Sequence, residues 1–192
     1  MSTHHGHLDF TAEDWDRPVQ FFDKCWVIAN RHNPGLNTAM ALNNRTFVFQ
    51  LRGKQPSDVL LVFGCAAQPA IDAVKQLEQQ TGCKTAWVVS NGGAHHLFLD
   101  LWYQAFPDAR VLIPSKRIPD TRNGKVLKEK WASRWELIDG PKPKQLVDEF
   151  GDELDVVIFD QLFGYADQDA AQIMSSPQDH TSPKTALGGF VN

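Results

Sequence analysis

The sequence predicts an α/β protein in which helices cover a partly parallel sheet. Two short runs, Asp58–Phe63 (DVLLVF) and Thr85–Ser90 (TAWVVS), are apolar on both faces, as strands buried on both sides are. Between them, Ile71, Val74 and Leu77 recur at helical spacing. A second helical stripe and a short strand, Arg110–Ile113 (RVLI), follow, so strand and helix alternate from Asp58 to Ile113.

The elements read in order as follows. Phe22–Ala29 (FDKCWVIA) is rich in aromatic and β-branched residues and predicts a strand. Arg31–Asn37 has Asn-Pro-Gly at its centre, which is turn chemistry. Thr46–Leu51 alternates and pairs with Asp58–Phe63 across the loop RGKQPS, which carries a Gly and a Pro. Gly64 ends that strand. Pro69 starts a helix, because a first-turn residue needs no N–H partner, and Gly82 fits the stop after Gln80. Asn91-Gly92-Gly93 breaks the Thr85–Ser90 strand. Leu97, Leu101 and Trp102 carry a helix to Ala105, which Pro107 ends. Pro114–Lys130 is charged and loop-like with room for one short helix, and Trp135–Ile138 reads as a strand. Pro143–Phe150 is an amphipathic helix, and Asp155–Phe159 (DVVIF) is the last clear strand. Beyond Asp160 the chain turns polar and Gly/Ser-rich and ends in ALGGFVN with no clear closing element, as either a short version of its fold or one lacking a C-terminal portion would.

Composition narrows the class. A chain of 192 residues is long enough for one domain with a sizeable core. It reads as a single domain over residues 1–192, with 1–20 as a flexible N-terminal segment. The net charge is −4 with the two signs mixed, so no nucleic-acid partner is expected. No apolar run approaches the roughly 18 residues of a membrane helix, and the polar start holds no apolar signal core. Cys25, Cys65 and Cys83 lie far apart, form no metal knuckle or disulfide framework, and read as buried thiols. A reducing, cytoplasmic location follows. The cluster His4, His5 and His7 reads as a solvated tail. The tryptophans read mostly as core.

Two stretches carry chemistry. SNGGAHH, Ser90–His96, joins a buried strand to a helix, and ligands of open α/β sheets bind at the carboxyl ends of strands. FDQLF, Phe159–Phe163, puts Asp160 at the end of another buried strand. Imidazoles from one strand end and a carboxylate from the other suit one metal ion. A bland reading stands beside each. His95 and His96 fit helix-start capping or core hydrogen bonds, Asp160 fits a cap on backbone N–H groups, and His180 fits a surface loop. Asp100, four residues after His96, reads either as a carboxylate orienting an imidazole or as an exposed helix residue. Ser90 and Asn91, with Arg31, His32 and Asn33 from the preceding loop, are candidates to line a pocket.

The order of elements, with DVLLVFG, HHLFLDLW, FPDARV and VVIFDQLF as the best-matched pieces, resembles the metallo-β-lactamase superfamily from about Ala29 to Gly164. It is similar to a degenerate branch in which a HHLFL-type stretch replaces the motif HxHxDH. The resemblance implies layered sheets flanked by helices. Aligning the last motif histidine on His96 puts His95 where the superfamily has Asp, and puts Asn91 and Gly93 where it has the first two histidines. With no histidine between His96 and Asp160, the resemblance implies that the first metal site is absent. The second keeps His95, His96, Asp160 and His180 as ligands for one zinc or iron ion. Two functions remain open: a mononuclear metal-dependent hydrolase of unknown substrate, and a metal-free, non-catalytic member that binds a small molecule or a protein partner.

Overall fold

The computed structural model describes residues 11, 13–32, 42–54, 56–90, 98–113, 122–137, 144–159 and 170–175. The elements are β1 Pro18–Phe22, β2 Cys25–His32, β3 Leu42–Leu51, β4 Val59–Phe63, α1 Gln68–Thr81, β5 Lys84–Val89, α2 Leu99–Ala105 and β6 Arg110–Ile113. They continue with α3 Arg122–Trp131, a 3-10 turn at Ala132–Arg134, β7 Trp135–Leu137, α4 Lys144–Phe150, β8 Leu154–Phe159 and β9 Ala170–Ser175.

β1 to β7 form one sheet in sequence order. β1 to β4 are an antiparallel meander, and β4 to β7 run parallel. The three parallel steps move in one direction through α1, α2 and α3. Right-handed crossovers then put all three helices on one face. The core agrees. Ile71, Val74 and Leu77 of α1, Trp102 of α2 and Leu127 of α3 pack with Leu60, Val62, Val88 and Val111 of the sheet. Fully burying side chains such as Ile71, Val74 and Leu77 stabilises by roughly 1.5–3 kcal/mol each. The α1 stop is as expected: Gly82 is left-handed, with φ 71°, and its N–H donates to Glu78 O.

The opposite face carries Cys25, Phe49, Leu61, Trp87, Val89 and Leu112, packed with Leu146 and Phe150 of α4 and Leu154 of β8. Trp87 and Phe150 meet edge to face with centroids 5.8 Å apart, a geometry that contributes about 1 kcal/mol beyond area burial. Glu153 accepts from Arg52 N at 3.1 Å and from Gly53 N at 2.5 Å, which fixes the start of β8 beside the β3–β4 loop. β8 pairs antiparallel with β9 in a separate two-stranded sheet.

Several expectations change. The run Phe22–Ala29 is not one strand: Phe22 pairs with Cys25 across a tight turn at Asp23-Lys24, where Lys24 has φ 57°. Its aromatic and β-branched flanks hide that turn. The stretch Arg31–Asn37 begins as strand, because β2 runs on to His32. The polar region after Asp160 includes β9. Of the segment 1–20 expected to be flexible, the part from Trp15 is tied to the sheet: Trp15 bridges Ala29, and Asp16 N–H donates to Ala29 O at 2.9 Å. All three cysteines are unpaired and buried. Among the described residues, no helix is long and apolar enough to cross a membrane.

Candidate functional site

In this topology the carboxyl ends of β4, β5 and β6 share one edge of the sheet. β5 is central there and is held on both sides to its last residue. Gly64 N–H donates to Val89 O at 2.9 Å, and Ser90 N–H donates to Leu112 O at 2.9 Å. The Ser90 side chain is wholly buried and frames the edge. The stretch SNGGAHH thus leaves from a fixed point.

It also arrives at a fixed point. α2 follows Phe98, and Trp102 Nε1 donates to Ala66 O at 2.8 Å, pinning α2 to the β4–α1 connection. At the far end of α2, Arg134 donates to the carbonyls of Tyr103 at 2.9 Å and of Phe106 and Ala109 at 3.0 Å. Tyr103 O is one of the carbonyls a helix C-terminus leaves unpaired, and a cation there also complements the helix dipole.

Gly64 explains the tight frame at the end of β4. Its φ is +90°, and a Cβ there would meet Arg45 O at 2.9 Å. Thr46 Oγ1 donates to Gly64 O at 2.9 Å, closing β3 onto β4 at this point.

His95 and His96 lie outside the described residues, as do Asp160, His180, Asn91 and Asn33. Their flanks are described: Ser90 and Phe98 around the histidines, and Phe159 before Asp160. Among the described residues, no group of three or more His, Cys, Asp or Glu side chains has metal-binding geometry. Asp100 bonds to α3 and within α2. It accepts from Trp131 Nε1 at 2.5 Å, Lys130 Nζ at 3.0 Å and Gln104 Nε2 at 2.7 Å. Burial pushes its pKa up, but the bonds from Trp131 and Lys130 outweigh burial and hold it below the ordinary carboxylate value. It ties α2 to α3.

Of the residues expected to face a pocket, Arg31 is exposed on β2, its guanidinium carbon 4.4 Å from the Trp15 ring centroid. A cavity of about 350 Å³ lies at the other end of the sheet, lined by Gly53, Lys54 and residues 147–153. Its carboxylates Glu149 and Glu153 accept backbone N–H groups of the β3–β4 loop, so they serve packing.

No protein-family model matches the sequence. No curated protein matches it. Solved structures do. The DIM-1 metallo-β-lactamase, in a crystal structure exposed to ceftazidime, is 11% identical with a TM-score of 0.53, over 83% of this chain and 64% of that one. A diflavin flavoprotein fragment from Nostoc sp. PCC 7120 is 9% identical with a TM-score of 0.53, over 83% and 62%. The metallo-β-lactamase FIM-1 from Pseudomonas aeruginosa, in its mono-zinc form, is 10% identical with a TM-score of 0.50, over 83% and 65%. The chain therefore spans less than two thirds of the length of these structures. At such identities the likeness is one of fold: this chain has the metallo-β-lactamase fold.

Proposed function

We propose that the chain is a metal-dependent hydrolase holding one zinc ion through His95, His96 and Asp160, with His180 as fourth donor. The observation that supports this most is the carboxyl edge. A buried central strand, flanked on both sides to its last residue, runs directly into Ser90–His96, and that edge is where open α/β sheets bind ligands. β8 supports it from the other side. It starts at the opposite edge, where Glu153 grips Arg52 and Gly53. Strand residues rise about 3.3 Å each, so the six residues of β8 span roughly 20 Å, a length that ligation by Asp160 at the carboxyl edge requires.

The donor set suits zinc first and iron second: three neutral imidazoles and one carboxylate. Zinc in such a site supplies Lewis acidity and lowers the pKa of a bound water. The remaining work falls to the chain. His95 and His96 are adjacent, so the glycines at 92 and 93 give the turn the freedom to aim both rings at one point. Asp160 is the one anionic donor of the set. The mono-zinc form of FIM-1 offers a precedent for one ion in this fold. The three unpaired cysteines support a reducing, cytoplasmic setting.

Elemental analysis of the purified full chain tests the reading. Near-stoichiometric zinc or iron, released by His96→Ala, is the expected result. Metal-free protein whose stability ignores a chelator would leave the rival function, a fold that binds a small molecule or a partner chain without turnover.

A further inference from the structure

We propose that the outer edge of β1 pairs antiparallel with β1 of a second copy of this chain, about a two-fold axis at Gln20, joining two seven-stranded sheets into one.

β1 is the terminal strand of its sheet and pairs with β2 on one side only. An edge strand carries a row of backbone N–H and C=O groups ready to pair with another strand, and charged side chains are the usual guard against it. β1 has none. It reads Pro-Val-Gln-Phe-Phe, with Arg17 just before it and Asp23 just after it. Phe22 is one of the few large apolar side chains exposed among the described residues. The β1–β2 register shifts between Gln20 and Phe22. A bulge of this kind bends and twists a strand, and here the Phe21 and Phe22 rings lie 4.2 Å apart beside it. Pro18 stands at the first position, where its missing N–H removes at most the last bond at each end of a new ladder.

The edge is complementary to itself. Successive positions of an antiparallel ladder alternate in type, so two copies of one strand related by a two-fold axis pair only in registers that set some residue against its own counterpart. The register centred on Gln20 overlaps the whole of β1. Val19 then faces Phe21 of the second copy, and Pro18 faces Phe22. Past the strand ends the same count sets Arg17 against Asp23, and symmetry makes that facing twice. Moving the axis to Val19 or to Phe21 shortens the overlap and sets both charges against uncharged residues. Arg17 and Asp23 are exposed. Each has one opposite charge of its own chain within electrostatic range, Asp14 for Arg17 and Lys24 for Asp23, and neither makes a hydrogen bond or an ion pair among the described residues. Opposite charges facing across a ladder attract, and like charges repel.

Sedimentation velocity of the full chain over a wide concentration range tests the proposal. Expected is a reversible monomer–dimer equilibrium. Arg17→Asp or Asp23→Arg alone turns two attractive facings into two repulsive ones and raises the dissociation constant about tenfold. The double variant Arg17→Asp/Asp23→Arg restores most of the affinity, which a merely structural role of either residue would not allow. Directly opposed residues have Cα atoms about 4.5–5.5 Å apart, within disulfide range. Gln20→Cys therefore cross-links to its own counterpart on mild oxidation, whereas Gln79→Cys on α1 does not. All four positions are exposed, and circular dichroism confirms that the variants stay folded. A chain that stays monomeric leaves β1 to a foreign strand or to none and overturns the proposal. So does a dimer that ignores the single reversals, one that the double reversal fails to restore, or a Gln20→Cys chain that does not cross-link. None of these readouts involves turnover or metal content, so the outcome is separate from that of the metal reading.

Discussion

Gly64 marks where chain geometry meets the candidate site. With φ +90° and the Arg45 carbonyl 2.9 Å from where a Cβ would stand, alanine there is strained in both backbone and packing. Gly64→Ala is expected to destabilise by about 1–3 kcal/mol, read as a lower urea midpoint; an unchanged midpoint would mean that β3 and β4 part easily at this end. The thiols make a second residue-level test. Burial pushes the Cys25 pKa up to about 12 and raises that of Cys65 as well. Since the thiolate is the reactive form, native protein at pH 8 should resist alkylation at these two positions and become fully reactive on unfolding. Rapid labelling of Cys25 in the native state would contradict the core described.

Elements are joined by a few polar contacts, and Asp100 is the clearest. Its pKa is lowered in the folded chain, so its contribution to stability is complete above the unfolded value, near pH 4, and is lost as pH falls through the folded value. Asp100→Asn is expected to cost about 1 kcal/mol at pH 7, with the gap to the parent chain closing in acid. A gap that persists at pH 2 would assign the effect to packing alone. Much at this scale was legible beforehand. The strand Arg110–Ile113 appears with the bounds expected, and α1 and β5 lie within a residue or two of theirs. These segments announce themselves because burial on one or both faces imposes a period. The misreadings have physical causes too. The Asp23-Lys24 turn uses a left-handed lysine in place of the usual glycine. α3 contains Gly124 and a run of lysines, which dilute its apolar stripe to little beyond Val126 and Leu127. β9 lies in a polar stretch, and its pairing with β8 is non-local.

For the whole molecule, the layered arrangement follows from one rule applied three times. Right-handed crossovers in one direction leave a helical face and a second face for α4, β8 and β9. The likeness to metallo-β-lactamase-fold structures confirms that architecture, over less than two thirds of their length. Site legibility is different in kind. Ser90–His96 is legible as a strand–turn–helix boundary, and the structure fixes Ser90 before the turn and α2 after it. Convergence of His95, His96, Asp160 and His180 depends on tertiary approach between distant segments, which residue spacing does not encode. The central claim is that these four residues share one ion, and anomalous diffraction at the zinc edge from crystals of the full chain tests it most directly. The account expects one peak at the carboxyl edge, about 2.0–2.2 Å from ring nitrogens of His95 and His96 and from a carboxylate oxygen of Asp160. No peak in zinc-soaked crystals, or a peak on other residues with His96 and Asp160 well apart, would contradict it.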